Sequence, residues 1–171
     1  LPDIHPQREP LLAAARLAMT NGLRDEAAGA WTAMVQAEGL IGTTAAVEAY
    51  HQVAAAAAAA SRDPRRVLRE RVQYGRALLR RGLGPRAEEV CAAALADARG
   101  AADTDPRDLA GARDCVLECS VRAGHYRQAS QLAEEAMADR TMVVDAQHPA
   151  VADYLEVQAW AHRVSGQPDL A

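Results

Sequence analysis

Apolar positions along this chain are scattered among polar ones. The longest unbroken apolar stretch, around 53–60, is a run of alanines about two helical turns long. Between the stretches stand Gly and Pro at regular places. Asp63-Pro64, Asp105-Pro106 and His148-Pro149 each suit the start of a helix. The Pro N–H that is missing would be an unpaired donor in the first turn, and a preceding Asp can cap the donors that remain. Gly82, Gly124 and Gly166 stand where such helices would stop, because Gly readily takes the left-handed conformation that closes a helix. The pattern predicts eight helices, near 10–20, 24–38, 43–61, 64–81, 85–99, 106–123, 126–143 and 148–165. Short turns join the members of a pair, and longer loops such as 100–105 join successive pairs.

The punctuation recurs with a fixed period. Ala87, Ala129 and Ala171 each follow a Gly-containing turn and lie 42 residues apart, while the three prolines are spaced 42 and then 43. A small residue at such a place lets two helices cross closely. The expected organisation is a single domain of antiparallel helix pairs. Its repeats fall at about 22–61, 62–104, 105–146 and a shortened 147–171, with 1–20 a preceding helix. The absent starting Met and the stop at Ala171, in mid-repeat, suggest a piece of a longer protein. An array ending there would bare the apolar face of the helix holding Trp160, so a homodimer through that end is expected.

Composition supports the same fold class. There are 41 Ala and 19 Arg but no Lys and no Phe, the usage of a high-GC bacterial genome. Aromatics are 4%, and Val, Ile and Thr are sparse, so a large sheet lacks its material. Ala, Leu, Arg, Glu and Gln favour helix, and the expected class is all-α. No run of 18 apolar residues exists, which excludes a membrane span. The three cysteines, Cys91, Cys115 and Cys119, are an odd count, and read as buried, reduced thiols of a cytoplasmic protein.

The segment Gly124-His125-Tyr126-Arg127-Gln128-Ala129, with Ala136 beyond it, resembles the Gly-x-Tyr-x-x-Ala turn of tetratricopeptide repeats. His148-Pro149-Ala150-Val151-Ala152, with Leu155 and Ala159, resembles the repeat start of the long, kinesin-light-chain-like members of that family. The likeness covers 64–171 well and 24–61 weakly, where Trp31 and Gly39 stand for the aromatic and the stop of a first helix. The turn position that is Tyr126 here is Gly84 and Pro168 in the neighbouring repeats, and the family's paired asparagines are Glu156 and Val157. The resemblance implies a right-handed α-solenoid whose first helices line a concave groove. It also implies a non-catalytic scaffold or sensor segment of a larger bacterial regulatory protein.

No phosphate loop, Gly-x-Ser-x-Gly elbow, His-Glu-x-x-His or Cys-x-x-Cys pair is present, and neither a cofactor nor a metal is expected. Charge is more telling than motif. Segment 62–86 holds nine arginines against Asp63 and Glu70, a net of +7, while the rest of the chain carries −11. With the implied groove as frame, Arg69, Arg76 and Arg80 fall on the inner face of one pair, Asp114 and Glu118 on the next, and Asp153, Glu156 and Trp160 on the last. Arginines so placed suit a carboxylate ligand, such as an acidic protein segment or peptide. Nucleic acid is disfavoured by the surrounding −11 and by the lack of interleaved aromatics. Two other readings stand beside this one: a self-association element with an empty groove, and a helical enzyme whose residues converge only in space.

Overall fold

The structure, a computed structural model, describes residues 8–141 together with the isolated positions 155, 159 and 163. The described part is all-helical, with seven helices and no strand: α1 (Arg8–Thr20), α2 (Arg24–Ile41), α3 (Thr44–Ala60), α4 (Arg65–Arg80), α5 (Gly84–Gly100), α6 (Pro106–Ala123) and α7 (Tyr126–Thr141). These are the first seven helices that the punctuation predicts, and their ends agree within a few residues. Of the eighth, at 148–165, only positions 155, 159 and 163 are among the described residues, and Asp153, Glu156 and Trp160 lie outside them.

Local chemistry sets the helix starts. Asp105 caps α6, its Oδ1 accepting from the Arg107 N–H at 2.9 Å, and Pro106 occupies the first turn. At α4 the cap position is Pro64, and Asp63 before it accepts from the Arg65 N–H at 3.1 Å. Thr43 caps α3, with its hydroxyl oxygen accepting from the Ala46 N–H at 3.2 Å. Each cap pairs one donor that a helix start would otherwise leave open.

One turn is used three times. Gly22, Gly82 and Gly124 have φ of 68°, 78° and 79°, the left-handed region that an L side chain resists. The next N–H, of Leu23, Leu83 and His125, reaches back to the carbonyl of Ala18, Leu78 and Ser120 at 2.8, 3.0 and 2.8 Å. Five residues after each glycine stands an alanine, Ala27, Ala87 or Ala129, no more than 4% exposed. The turn into α2 is therefore of the same kind as those into α5 and α7. The turn between α2 and α3 is not, for Gly42 there has φ −87°.

Gly39, expected to stop a helix, lies inside α2 instead. Its work is contact: a Cβ there would fall 2.6 Å from the Ala77 Cβ and 2.7 Å from the Ala77 Cα of α4. The helix runs on to Ile41, and the Gly42 N–H closes it on the Glu38 carbonyl at 2.8 Å.

Packing makes α4 the hub. It rests on α2, α3, α5 and α6, while α2 also carries α1 and α3, and α6 also carries α5 and α7. Met34, Val35, Val47 and Leu78 fill the centre with no exposed surface, and alanines such as Ala54, Ala94 and Ala112 are fully buried with them. Among the described residues no helix is long and apolar enough to cross a membrane.

Candidate functional site

The face shared by α4 and α6 carries five of the residues that the charge pattern singles out. Both helices present it because 3.6 residues per turn bring Arg69, Arg76 and Arg80 near one side of α4, and Asp114 and Glu118 to one side of α6. The structure brings these two sets together. Arg76 Nε lies 3.0 Å from Glu118 Oε1, and its Nη2 lies 3.9 Å from Asp114 Oδ2. Two turns earlier on α4, Arg69 grips Asp108 with a two-pronged fork, Nε to Oδ1 at 2.6 Å and Nη2 to Oδ2 at 3.1 Å. That carboxylate raises the Arg69 pKa further above its ordinary value. Among the described residues Arg80 Nη1 is buried without a hydrogen-bond acceptor, and Arg76 Nε, although ion-paired with Glu118, makes no hydrogen bond either.

Four more arginines of the basic segment are engaged, whereas Arg66 Nε is a further buried donor with no acceptor among the described residues. Arg65 pairs with Asp63 at 2.8 Å and reaches Asp105 at 3.5 Å, and Arg71 pairs with Asp97 of α5. Arg81 donates to the Gly42 carbonyl, and Arg86 holds Glu48 of α3 at 2.5 and 3.3 Å. Six of the nine arginines of 62–86 thus meet acids or carbonyls, and most of these contacts tie α4 and its flanks in place.

Across α4 from this face lies a cluster that the sequence reading did not single out. His51 of α3 stacks on Tyr74 with ring centroids 3.5 Å apart, and its Nδ1 lies 2.8 Å from Glu70 Oε1. Glu70 is 3% exposed, so this contact satisfies a carboxylate that burial would otherwise penalise. The Tyr74 hydroxyl donates to Glu48 Oε2 at 2.9 Å. Burial, followed by that hydrogen bond, pushes the phenol up to about 12.

Two further features depend on small side chains. A recess of about 470 Å³ lies among Met19, Ala27, Trp31, Val53, Ala56, Ala57 and Ala60, lined on one side by the alanines of α3. The Trp31 Nε1–H points to Met19 Sδ at 3.4 Å. The second feature corrects the expectation of three reduced thiols: Cys91 of α5 and Cys115 of α6 are joined by a disulfide, and Cys119 alone is free. The helices can bring those two sulfurs together because α4 offers Gly75 between them. A Cβ at Gly75 would sit 2.6 Å from Cys91 Sγ and 3.1 Å from Cys115 Sγ.

Among the described residues no group of three His, Cys, Asp or Glu side chains is placed to hold a metal ion. Compared with known proteins, the chain matches no family model, no curated protein and no solved structure.

Proposed function

We propose that the chain is a non-catalytic interaction module, an α-solenoid of tetratricopeptide-like helix pairs that binds an acidic protein segment along α4 and α6. The single observation that carries this reading is a pair of buried donors with no hydrogen-bond acceptor among the described residues, Arg80 Nη1 and, one turn before it, Arg76 Nε. An unpaired buried donor costs free energy, on the order of 1–3 kcal/mol, and a ligand carboxylate would recover part of it. Beside it, Glu118 is 44% exposed while Arg76 is only 19% exposed. Glu118 is thus the outer, exchangeable member of that pair, and an incoming carboxylate takes its place on Arg76 without burying a new charge.

The recurrence of the Gly82 and Gly124 turns, with α4 and α6 side by side, supports the solenoid reading. It fits a scaffold or sensor segment of a larger bacterial regulatory protein, with no cofactor and no nucleic acid.

An octaglutamate peptide is the probe, with its binding to the 171-residue chain read by fluorescence anisotropy. Arg80→Gln is expected to weaken binding at least tenfold, and Arg76→Glu to abolish it, with helicity by circular dichroism unchanged. Affinity that survives both substitutions sinks the acidic-groove reading.

The recess over Trp31 favours a second reading, self-association. Met19 and Val53 on its rim are 58% and 39% exposed, apolar surface that a second copy would cover. Light scattering decides it: a dimer that Val53→Glu converts to monomer supports this surface, and a monomer at every concentration removes it.

A further inference from the structure

Three sulfur atoms meet where α4, α5 and α6 come together. Cys91 is bonded to Cys115, with their Cα atoms 5.5 Å apart, and Cys119 sits one turn further along α6 with its Sγ 3.7 Å from Cys91 Sγ. The three residues are 0%, 0% and 2% exposed. The cluster exists because Gly75 contributes no side chain at the point where α4 faces it.

Cysteine is often a small apolar filler, and one buried thiol would call for no further account. A free thiol in van der Waals contact with a disulfide sulfur is a different arrangement. It is the ground state of thiol–disulfide exchange, in which a thiolate attacks one sulfur of the bond and expels the other. Both possible partners of Cys91 lie on the same helix, so either bond links α5 to α6.

We propose that Cys91 is a shared partner, and that the α5–α6 link passes between Cys115 and Cys119 by exchange inside the cluster. Cys119 gives up its proton and its sulfur forms a bond to Cys91 Sγ. The Cys91–Cys115 bond breaks, its electron pair leaves on Cys115, and Cys115 takes up a proton. One disulfide and one thiol stand on each side of the step, so no oxidant or reductant is consumed. The link moves one helical turn along α6 and is never lost.

The surroundings set the rate. Burial pushes the Cys119 thiol up to about 11, with Glu118 of α6 and Glu88 of α5 adding to the rise and Arg122 of α6 and Arg76 of α4 opposing it. The thiolate is then rare at neutral pH. Exchange speeds up close to tenfold for each pH unit until the thiol titrates.

The test uses the full 171-residue chain, equilibrated with oxidised glutathione, quenched in acid, digested at acid pH and read by mass spectrometry of the linked peptides. Wild type is expected to yield both Cys91–Cys115 and Cys91–Cys119 peptides, the second forming faster at pH 9 than at pH 7. Cys115→Ser is expected to give Cys91–Cys119 alone, and Cys119→Ser to give Cys91–Cys115 alone. Wild type that gives only Cys91–Cys115 after incubation at pH 9, or stays fully reduced, overturns the proposal. So does a folded Cys115→Ser chain whose Cys91 and Cys119 remain free. The wild-type arm needs no substitution, so a variant that fails to fold leaves the answer intact.

Discussion

α3 and α4 follow each other in the chain, have 17 and 16 residues, and are built on opposite plans. α3 ends in seven consecutive alanines and buries only Val47, Ala54 and Ala58. α4 is rich in arginine yet buries Glu70, Val72, Tyr74, Gly75, Ala77, Leu78 and Leu79. α3 touches α2 and α4, whereas α4 touches four helices. The first is a helix because its residues favour helix almost regardless of surroundings. The second is held by what surrounds it, with apolar residues toward the core and arginines reaching outward to acids on other elements. Propensity gives α3 its form, and tertiary contact gives α4 its place.

The comparison can be broken at several points. Leu78, fully buried on α4, carries the largest effect: Leu78→Ala is expected to cost about 2–5 kcal/mol in chemical denaturation, from lost transfer energy plus the cavity left behind. A loss below about 1 kcal/mol would mean that α4 is not the hub. Gly39→Ala comes next. Its new Cβ meets Ala77 backbone that no rotamer change can move, so about 1–3 kcal/mol of overpacking is expected, read as a lower thermal midpoint. Ala56→Gly, at an exposed site of α3, is expected to cost about 1 kcal/mol by propensity alone. A much larger loss would show that α3 depends on packing after all.

The smallest effect concerns the joint between the two helices. Asp25 accepts from Ser61 Oγ at 2.5 Å and from the Arg62 N–H at 3.1 Å, tying the start of α2 to the segment that links α3 and α4. The Ser61 hydrogen bond, ahead of the Arg62 N–H and the nearby Arg66 charge, lowers its carboxyl below the ordinary 3.8. A carboxyl depressed in the folded state adds stability that is present above the unfolded pKa and is lost as pH falls through the folded one. Denaturation of Asp25→Asn followed from pH 5 to pH 2 should therefore show a shallower loss than wild type. Identical slopes would remove Asp25 from the joint.

Much of the fold is legible in the chain because its helix boundaries are local chemistry. Asp105-Pro106 and Gly124 act within a few residues of themselves, so their positions suffice. Gly39 misleads because its partner, Ala77, is far along the chain and only packing reveals it. The charge pattern is legible in part. Arg69 and Asp108 are 39 residues apart, close to the 42-residue period, as are Arg86 and Glu48 at 38. Opposite charges about one repeat apart on neighbouring helices are placed to find each other before they find a ligand. That signal was present in the period and the residue types. The His51–Tyr74 stack and the three-sulfur cluster have no such periodic mark, since each depends on which helix faces turn toward one another.

The contact of Gly39 with Ala77 also bears on how α2 and α4 can move. Where two helices meet through side chains, those chains act as springs, and the helix axes can separate or slide by changing rotamer. Where backbone lies against backbone there is nothing to compress. α2 and α4 share a fulcrum at that point: their spacing is fixed, and the angle between them is the coordinate left to vary. A change in the curvature of this molecule would therefore be read as rocking about Gly39, with the two ends of the crossing opening in opposite senses.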